Sequence, residues 1–177
     1  MKVSQGEFEK LAVAELDMLY RVARRLAGQP AAAEDLVQET YMRALRARGD
    51  FELKEFGIRP WLLRIMHNLH SSRAAREARQ PRAVDDGFLE RSGPTADMQW
   101  PDRFEGMDEH LVRAFDQLPA EYQTVMMLWA LEEMSYKEIA HAVGVPIGTV
   151  MSRLHRGRQR LSNLLHDYAQ QEGIIRE

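Results

Sequence analysis

The sequence predicts an all-α protein made of two small helical domains that are joined by an acidic, flexible linker. Apolar residues recur at helical spacing in both halves of the 177-residue chain, and no segment alternates regularly enough to predict a β-strand. From about residue 82 to residue 106 this period is lost, and the segment contains prolines, glycines and scattered acids. We therefore predict domains at residues 1–82 and 108–177, with the linker at residues 83–107.

The first predicted helix begins after Ser4, which stands at capping-box spacing from Glu7, and Gly28 and Pro30 end it. Its apolar stripe consists of Phe8, Leu11, Leu16, Leu19, Tyr20, Ala23 and Leu26. The second helix is predicted from about Ala31 to Arg48. Its inner face carries Val37, Tyr41, Ala44 and Leu45.

A third helix is predicted from about Pro60, because the fixed φ and missing N–H of proline suit a first helical turn. Its stripe is Trp61, Leu62, Ile65, Met66 and Leu69. In the second domain, helical period returns at Leu111, Val112, Phe115 and Leu118. Pro119 then opens a helix that contains Tyr122, Val125, Met126, Leu128 and Trp129.

The composition excludes several classes of protein. The chain contains no cysteine, which excludes disulfides and thiolate metal sites. Acids interrupt the apolar positions of the amino-terminal twenty residues, so this segment is predicted to be neither a signal peptide nor a membrane span. We therefore expect a cytoplasmic protein with no membrane insertion.

The net charge of −3 conceals two basic segments. Residues 83–118 carry three basic and nine acidic side chains. By contrast, residues 59–82 hold six arginines and one glutamate, and residues 146–160 hold four arginines and no acid. Two separate basic surfaces predict two contacts with DNA.

The segment from Ser135 to Leu161 has the pattern of a helix-turn-helix. A small residue, Ala140, stands where two helices approach closely, Gly144 suits the turn, and Val150 falls on the buried face of the second helix. Helical geometry places Leu154, Gly157 and Leu161 on that inner side. The outer side carries Ser152, Arg156 and Gln159, with His155 nearby.

These outward residue types suit recognition of bases in the major groove, because Arg pairs with guanine and Gln with adenine. Arg153, Arg158 and Arg160 flank the outer face and better suit phosphates. The alternative is that the arginines only solvate an exposed helix.

Two further motifs precede the helix-turn-helix. They are EDLVQETYMRAL at residues 34–45 and RPWLLRIMHNLHSSRAAREAR at residues 59–79. With these three ordered motifs, the chain resembles the extracytoplasmic-function sigma factors, the smallest class of the sigma-70 family. The resemblance implies that residues 1–82 form a sigma region 2 domain and residues 108–177 a sigma region 4 domain.

The function implied by this resemblance is promoter-specific initiation of transcription, with core RNA polymerase and promoter DNA as partners. It implies neither an enzyme, nor a cofactor, nor a small-molecule substrate. Asp35, Gln38 and Glu39 match the helix that docks on the polymerase. An acidic first turn that only complements the helix dipole is the alternative for these residues.

By the same resemblance, Asn68 lies in a loop that captures a flipped base of the minus-ten element. An amide offers both donors and an acceptor to such a base. The other minus-ten contacts implied are His67, His70, Ser71, Arg73 and Arg76. For Asn68, a helix C-cap is the alternative reading.

The minus-thirty-five contacts implied by the resemblance are Thr149, Met151, Ser152, His155 and Arg156. Met151 departs from the basic residue that many relatives carry, and it is expected to weaken a contact or to favour thymine methyl groups. Many members of this family are held inactive by an anti-sigma factor, so such a partner is expected. The acidic linker would thread the RNA-exit path or act as a simple tether.

Two other functions compete with this interpretation. An enzyme or metal site would need more than His67 and His70, the only close histidine pair. A regulator whose amino-terminal half senses a ligand would explain the helix-turn-helix but not the two amino-terminal motifs.

Overall fold

The computed structural model describes residues 2–77 and 109–171, and within these ranges the chain forms eight α-helices and no β-strand. They are α1 (Gln5–Ala14), α2 (Leu16–Ala27), α3 (Pro30–Arg46), α4 (Arg59–Glu77), α5 (Glu109–Asp116), α6 (Ala120–Ala130), α7 (Tyr136–Val143) and α8 (Ile147–Gln171). The all-α prediction is confirmed. The predicted linker at 83–107 lies outside the described residues, so the domain boundaries stay predictions.

The chain divides into two compact units. The first unit holds α1 to α4, and a short 3-10 turn at Arg48–Asp50 follows α3. The second unit holds α5, α6, α8 and the first part of α7. The functional residues predicted from the sequence are therefore carried by two separate helical cores.

The single amino-terminal helix predicted from the sequence is wrong, because the chain breaks at Glu15 between α1 and α2. Glu15 has φ −96° and ψ 7°, and its N–H donates to the carbonyl of Ala12 at 3.2 Å. That carbonyl also accepts from the Tyr41 hydroxyl of α3 at 2.7 Å. The break changes which side chains face the core, so Leu16 and Tyr20 are exposed although the predicted stripe included them.

We expect Tyr41→Phe to lower the free energy of unfolding of the first unit by about 0.5–1.5 kcal/mol, because Ala12 loses one of its two donors. Burial raises the pKa of the Tyr41 hydroxyl. The stabilisation is therefore present at neutral pH and is lost as the pH rises above about 10. Hydrogen exchange of the amides of α1 and α3 at increasing urea concentration measures the change in the free energy of unfolding. Tyr20→Phe, at an exposed tyrosine of α2, is the control and should change stability by less than about 0.5 kcal/mol.

Three of the four helices of the first unit supply most of its core. The buried positions of α2 and α3 include Met18, Leu19, Val22, Ala23, Ala33, Leu36, Val37 and Ala44. From α4 come Leu62, Met66 and Leu69, as the predicted stripe requires, together with Leu63. Leu45, predicted on the inner face of α3, is 38% exposed. Thr40 is buried instead, and its hydroxyl donates to the carbonyl of Leu36 at 2.7 Å.

The second unit packs α8 closely against α6. Val125, Met126 and Leu128 of α6 are buried, as are Val150 and Leu154 of α8. The two helices approach closely at Gly157, where an added Cβ would lie 2.6 Å from Sδ of Met126 and 3.3 Å from Cβ of Tyr122. A glycine there lets the two helices approach.

The carbonyl groups at the end of α5 are held by a side chain of α6. Nε2 of Gln123 lies 2.8–3.1 Å from the carbonyl oxygens of Phe115, Asp116 and Leu118. Carbonyls at a helix end lack intrahelical donors, and the two N–H groups of the amide are shared among these three. The carbonyl of Phe115 also accepts from the N–H of Leu118 at 3.1 Å. The amide therefore joins the end of α5 to α6.

Candidate functional site

The start of α8 is positioned by the helix-turn-helix geometry that the sequence predicts. Ser135 and Glu138 form a reciprocal capping box at the start of α7, in which each side chain accepts from the other residue's backbone N–H. After α7, Gly144 has φ +75°, and the N–H of Val145 donates to the carbonyl of Ala140 at 3.2 Å. Glycine is required at this left-handed position, which confirms the turn.

The two faces of α8 are divided as the sequence predicts over its first three turns. Val150, Leu154 and Gly157 face the core, and Leu161 is half-buried. Among the predicted minus-thirty-five residues, Thr149 is half-buried. The exposed ones are Met151, Ser152, His155 and Arg156.

Three of the four arginines of α8 contact α6. An oxygen of Glu121 lies 2.9 Å from Nη2 of Arg153. The guanidinium of Arg158 lies 4.8 Å from the ring centroid of Trp129, and that of Arg160 lies 5.3 Å from the ring centroid of Tyr122. Both geometries fit cation–π contacts.

Arg156 differs from these three. Its side chain is exposed and makes no ion pair, hydrogen bond or ring contact with any residue in the described part of the chain. The three arginines predicted to contact phosphates, Arg153, Arg158 and Arg160, therefore help to hold α8 on α6, whereas Arg156, predicted to contact a base, is left unengaged by the described residues.

The predicted docking residues lie together on the outer face of α3. Asp35 and Gln38 are exposed and Glu39 is half-buried. They line a surface groove of about 420 Å³, whose other residues are Met42, Arg43, Arg46 and Arg73. This grouping is called the α3 groove below.

Glu39 is the electrostatic centre of the α3 groove. Its Oε2 lies 2.5 Å from Nη2 of Arg73 on α4, and its Oε1 lies 2.8 Å from Nη2 of Arg43 one turn along α3. Hydrogen bonds from Arg73 and Arg43 hold the pKa of Glu39 below its ordinary value. The carboxylate is therefore ionised at neutral pH, and it joins α3 to α4.

The loop predicted around Asn68 is wrong, because Asn68 lies within α4, nine residues before its end at Glu77. Leu62, Met66 and Leu69 are buried at helical spacing on both sides of this position, so the helix runs through Asn68. A residue inside a helix is not its C-cap, so that alternative is also wrong. The side chain of Asn68 is exposed.

The other predicted minus-ten residues share α4 with Asn68. His67 and His70 are half-buried, and Ser71 is exposed. Arg73 is engaged by Glu39. Arg76 lies on the same helix, but its side chain is outside the described residues. The predicted docking and minus-ten residues thus meet at the Arg73–Glu39 pair.

The sequence analysis did not predict the ion pairs of Glu39 or the exposed position of Ile147. The spacing of four between Glu39 and Arg43 signals an ion pair on one helix and could have been used. The pair between Glu39 and Arg73 spans 34 residues and leaves no local signal. Ile147, exposed at the first position of α8, was also overlooked.

Metal-binding and membrane-spanning features are absent from residues 2–77 and 109–171. No three His, Asp or Glu side chains in these ranges are grouped so that they could hold a metal ion. No helix in them is both long enough and apolar enough to cross a membrane. The metal alternative at His67 and His70 thus lacks a third ligand within the described part of the chain.

Known protein families match both units. Residues 11–80 match the family model of Sigma-70 region 2, and residues 109–161 match that of Sigma-70, region 4. The first match covers the last four residues of α1 and all of α2–α4. The second covers α5–α7 and the first 15 residues of α8.

Individual relatives match over nearly the whole chain. ECF RNA polymerase sigma factor SigE of Mycolicibacterium smegmatis is 34% identical over 167 residues, which are 93% of this chain and 63% of that protein. ECF RNA polymerase sigma factor SigW of Bacillus subtilis is 30% identical over 176 residues, covering 94% of this chain and 92% of that protein.

A solved structure has the same fold. The sigma factor RpoE from Bartonella quintana, crystallised with the anti-sigma factor NepR, superposes with a TM-score of 0.70 at 28% identity, covering 90% of this chain and 97% of that one. Sigma-70 regions 2 and 4 match in the same order as the three motifs in the sequence, and SigW aligns over 92% of its length. The chain belongs to the extracytoplasmic-function sigma factors of the sigma-70 family.

Proposed function

We propose that this chain binds core RNA polymerase and directs it to promoters by contacting the minus-ten and minus-thirty-five elements. The observation that carries the proposal is that one chain holds both sigma regions and presents a polar face on each. It has no catalytic role of its own in this proposal, which needs no cofactor and no small-molecule substrate. We expect it to act in the cytoplasm, where polymerase and promoters meet.

The α3 groove is the proposed polymerase-docking surface. Asp35 and Gln38 are exposed there, and the carboxylate of Glu39 carries a negative charge between two guanidinium groups. A basic side chain of the polymerase would displace Arg43 or Arg73 and form its own ion pair with that carboxylate. Charge-assisted hydrogen bonds of this kind are short and comparatively strong.

The exposed face of α4 is the proposed surface for the minus-ten element. Asn68 and Ser71 offer donors and acceptors to an unstacked base, and His67, His70, Arg73 and Arg76 surround them along the helix. A helix presents these groups on a rigid support. Base capture in this proposal therefore depends on a helical face and needs no flexible loop at Asn68.

The outer face of α8 is the proposed surface for the minus-thirty-five element. Met151, Ser152, His155 and Arg156 are exposed, and Thr149 lies at its edge. The absence of acids between residues 146 and 160 favours an approach to phosphates. Arg153, Arg158 and Arg160 would contribute long-range charge while they remain against α6.

An anti-sigma factor is the proposed regulator. The similar sigma factor RpoE was solved in complex with the anti-sigma factor NepR. A partner that covers the α3 groove would block polymerase docking, because the groove contains all three predicted docking residues. Co-purification from the native cell would identify such a partner.

Reconstitution with bacterial core RNA polymerase tests the proposed function. The purified chain should form a stable complex with core and should start transcription from a library in which both promoter elements are randomised, yielding defined minus-ten and minus-thirty-five sequences. Binding to duplex DNA without binding to core would support a ligand-sensing regulator and would overturn the proposal.

We expect Asn68→Ala to change the minus-ten preference of the reconstituted holoenzyme while its affinity for core stays the same. The loss of one good base contact corresponds to about 1–3 kcal/mol of discrimination. Sequencing of transcripts from the randomised library measures the preference, and a core-binding titration measures the affinity. Gln38→Ala is the matched control, because it removes an exposed amide from the docking surface and should weaken core binding alone. Equal effects of both variants in both assays would contradict the separation of the two surfaces.

A further inference from the structure

We propose that Ile147 and Met151 recognise the 5-methyl groups of thymine and thereby set a preference for thymine at two positions of the minus-thirty-five element. This inference rests on the proposed function of α8 as the helix that contacts duplex DNA. It adds Ile147 to the contact surface and assigns a particular base to two apolar side chains.

Ile147 and Met151 are exposed apolar residues on one side of α8. Ile147 is 43% exposed and Met151 is 53% exposed, whereas Val150 and Leu154 on the core face are fully buried. Residues four apart on a helix are neighbours, so the two side chains form a continuous apolar stripe across the first two turns. The core of the second unit therefore does not account for them.

The polar groups available in the same two turns are few. Gly148 has no side chain, and the hydroxyl of Ser152 donates to the carbonyl of Thr149 at 3.0 Å. Thr149 is half-buried. In a helix-turn-helix, the amino-terminal residues of the second helix are those that contact base edges. At that end of α8, the groups exposed to a groove are therefore mainly a branched alkyl chain and a thioether.

Thymine is the base that fits such a surface. In the major groove it presents a methyl group beside its O4 acceptor, and guanine, adenine and cytosine have no methyl group there. Two side chains one helical turn apart, about 6 Å along the axis, reach neighbouring base pairs. The stripe therefore predicts thymines at two nearby positions.

The charge around the stripe favours DNA over an apolar protein surface as its occupant. Arg156 and His155 are exposed one turn further along α8, and no acid occurs between residues 146 and 160. A guanidinium that makes no contact with any described residue of the chain suits a polyanion. Duplex DNA supplies phosphates and thymine methyl groups within the same groove.

Deoxyuridine substitution tests the inference, because it removes the 5-methyl group and leaves base pairing intact. Holoenzyme made with the full chain is titrated with promoter DNA in which each thymine of the selected minus-thirty-five element is replaced singly by deoxyuridine. We expect a loss of about fourfold in affinity at each of two positions, as for one buried methyl group. Met151→Ala should abolish the sensitivity at one of them and Ile147→Ala at the other.

Val13→Ala is the control variant, since Val13 is an apolar residue of the first unit that is even more exposed than Ile147 and Met151. It should keep the full sensitivity to deoxyuridine. If the wild-type holoenzyme binds thymine and deoxyuridine DNA equally at every position, or if both alanine variants keep the sensitivity, the inference is wrong while the sigma function stands. If binding does not depend on the minus-thirty-five sequence at all, the proposed role of α8 is wrong, and this inference with it.

Discussion

Phe8→Ala is expected to lower the free energy of unfolding of the first unit by about 3–5 kcal/mol, the range for truncating a buried aromatic residue. Phe8 is only 2% exposed. Its ring centroid lies 5.5 Å from that of Phe51 and 5.9 Å from that of Trp61, with edge-on geometry in both pairs. Each aromatic pair contributes about 0.5–1.5 kcal/mol beyond the area that it buries.

The position of this cluster explains the large effect. Phe8 belongs to α1, Phe51 follows the 3-10 turn, and Trp61 belongs to the first turn of α4. Phe51 and Trp61 also contact each other at 5.1 Å. The truncation would leave a cavity where three chain segments meet, and local collapse would have to move all of them.

Hydrogen exchange at increasing urea concentration measures the effect, with peptides from α2 and α4 as reporters of the first unit. A chain with two units need not unfold in one step, so a single global midpoint would not isolate the change. Phe8→Leu, which keeps most of the apolar volume, should lose less, and the exposed Val13→Ala should change stability by less than about 0.5 kcal/mol. A loss below about 1 kcal/mol for Phe8→Ala would show that the ring cluster is not a major part of the core.

The features that were predicted correctly from the sequence have local causes. The Ser4 cap of α1 joins residues three apart, since its hydroxyl accepts from the N–H of Glu7. Gly144 adopts the positive φ that its place in the turn requires. Helical period also identified the buried Leu62, Met66 and Leu69. In each case the interaction partner lies within one or two helical turns, so the sequence pattern contains the information.

The features that were missed depend on contacts between distant segments. The break at Glu15 is stabilised by Tyr41, whose hydroxyl reaches Ala12 across 29 residues. A continuous helical stripe therefore mispredicted Leu16 and Tyr20. Local propensity is a weak guide when packing opposes it. Asn68 is a different case, because the helical period of Leu62, Met66 and Leu69 already indicates a helix there and only the resemblance implied a loop.

The candidate site shows the same division between local and distant causes. Residue type and period placed Ser152, His155 and Arg156 on the exposed face of α8, where they lie. They also separated Arg156, predicted to contact a base, from Arg158, predicted to contact a phosphate, but they could not show that Arg158 is engaged within the protein itself. That engagement comes from Trp129 on α6, which occupies Arg158 and not Arg156.

Arg156→Ala is expected to relax the minus-thirty-five preference of the holoenzyme by about fivefold to 150-fold, which corresponds to about 1–3 kcal/mol of lost discrimination. Arg156 is exposed and makes no contact within the described part of the chain, so its five N–H donors are available to a guanine edge. Competition binding with the selected element and single-base variants measures the preference. The loss should fall on one base pair and leave the others unchanged.

Arg158→Ala is the matched control, since it removes the same charge from the same helix two residues away. Its guanidinium lies over Trp129, so we expect a loss of about 0.5–1 kcal/mol in the stability of the second unit and an unchanged base preference. Because both variants lose one positive charge, the non-specific attraction to DNA changes equally. A uniform loss of affinity on all sequences for Arg156→Ala, with a shallower salt dependence, would identify Arg156 as a phosphate contact. A relaxed preference for Arg158→Ala would mean that its contact with Trp129 does not keep it from the bases.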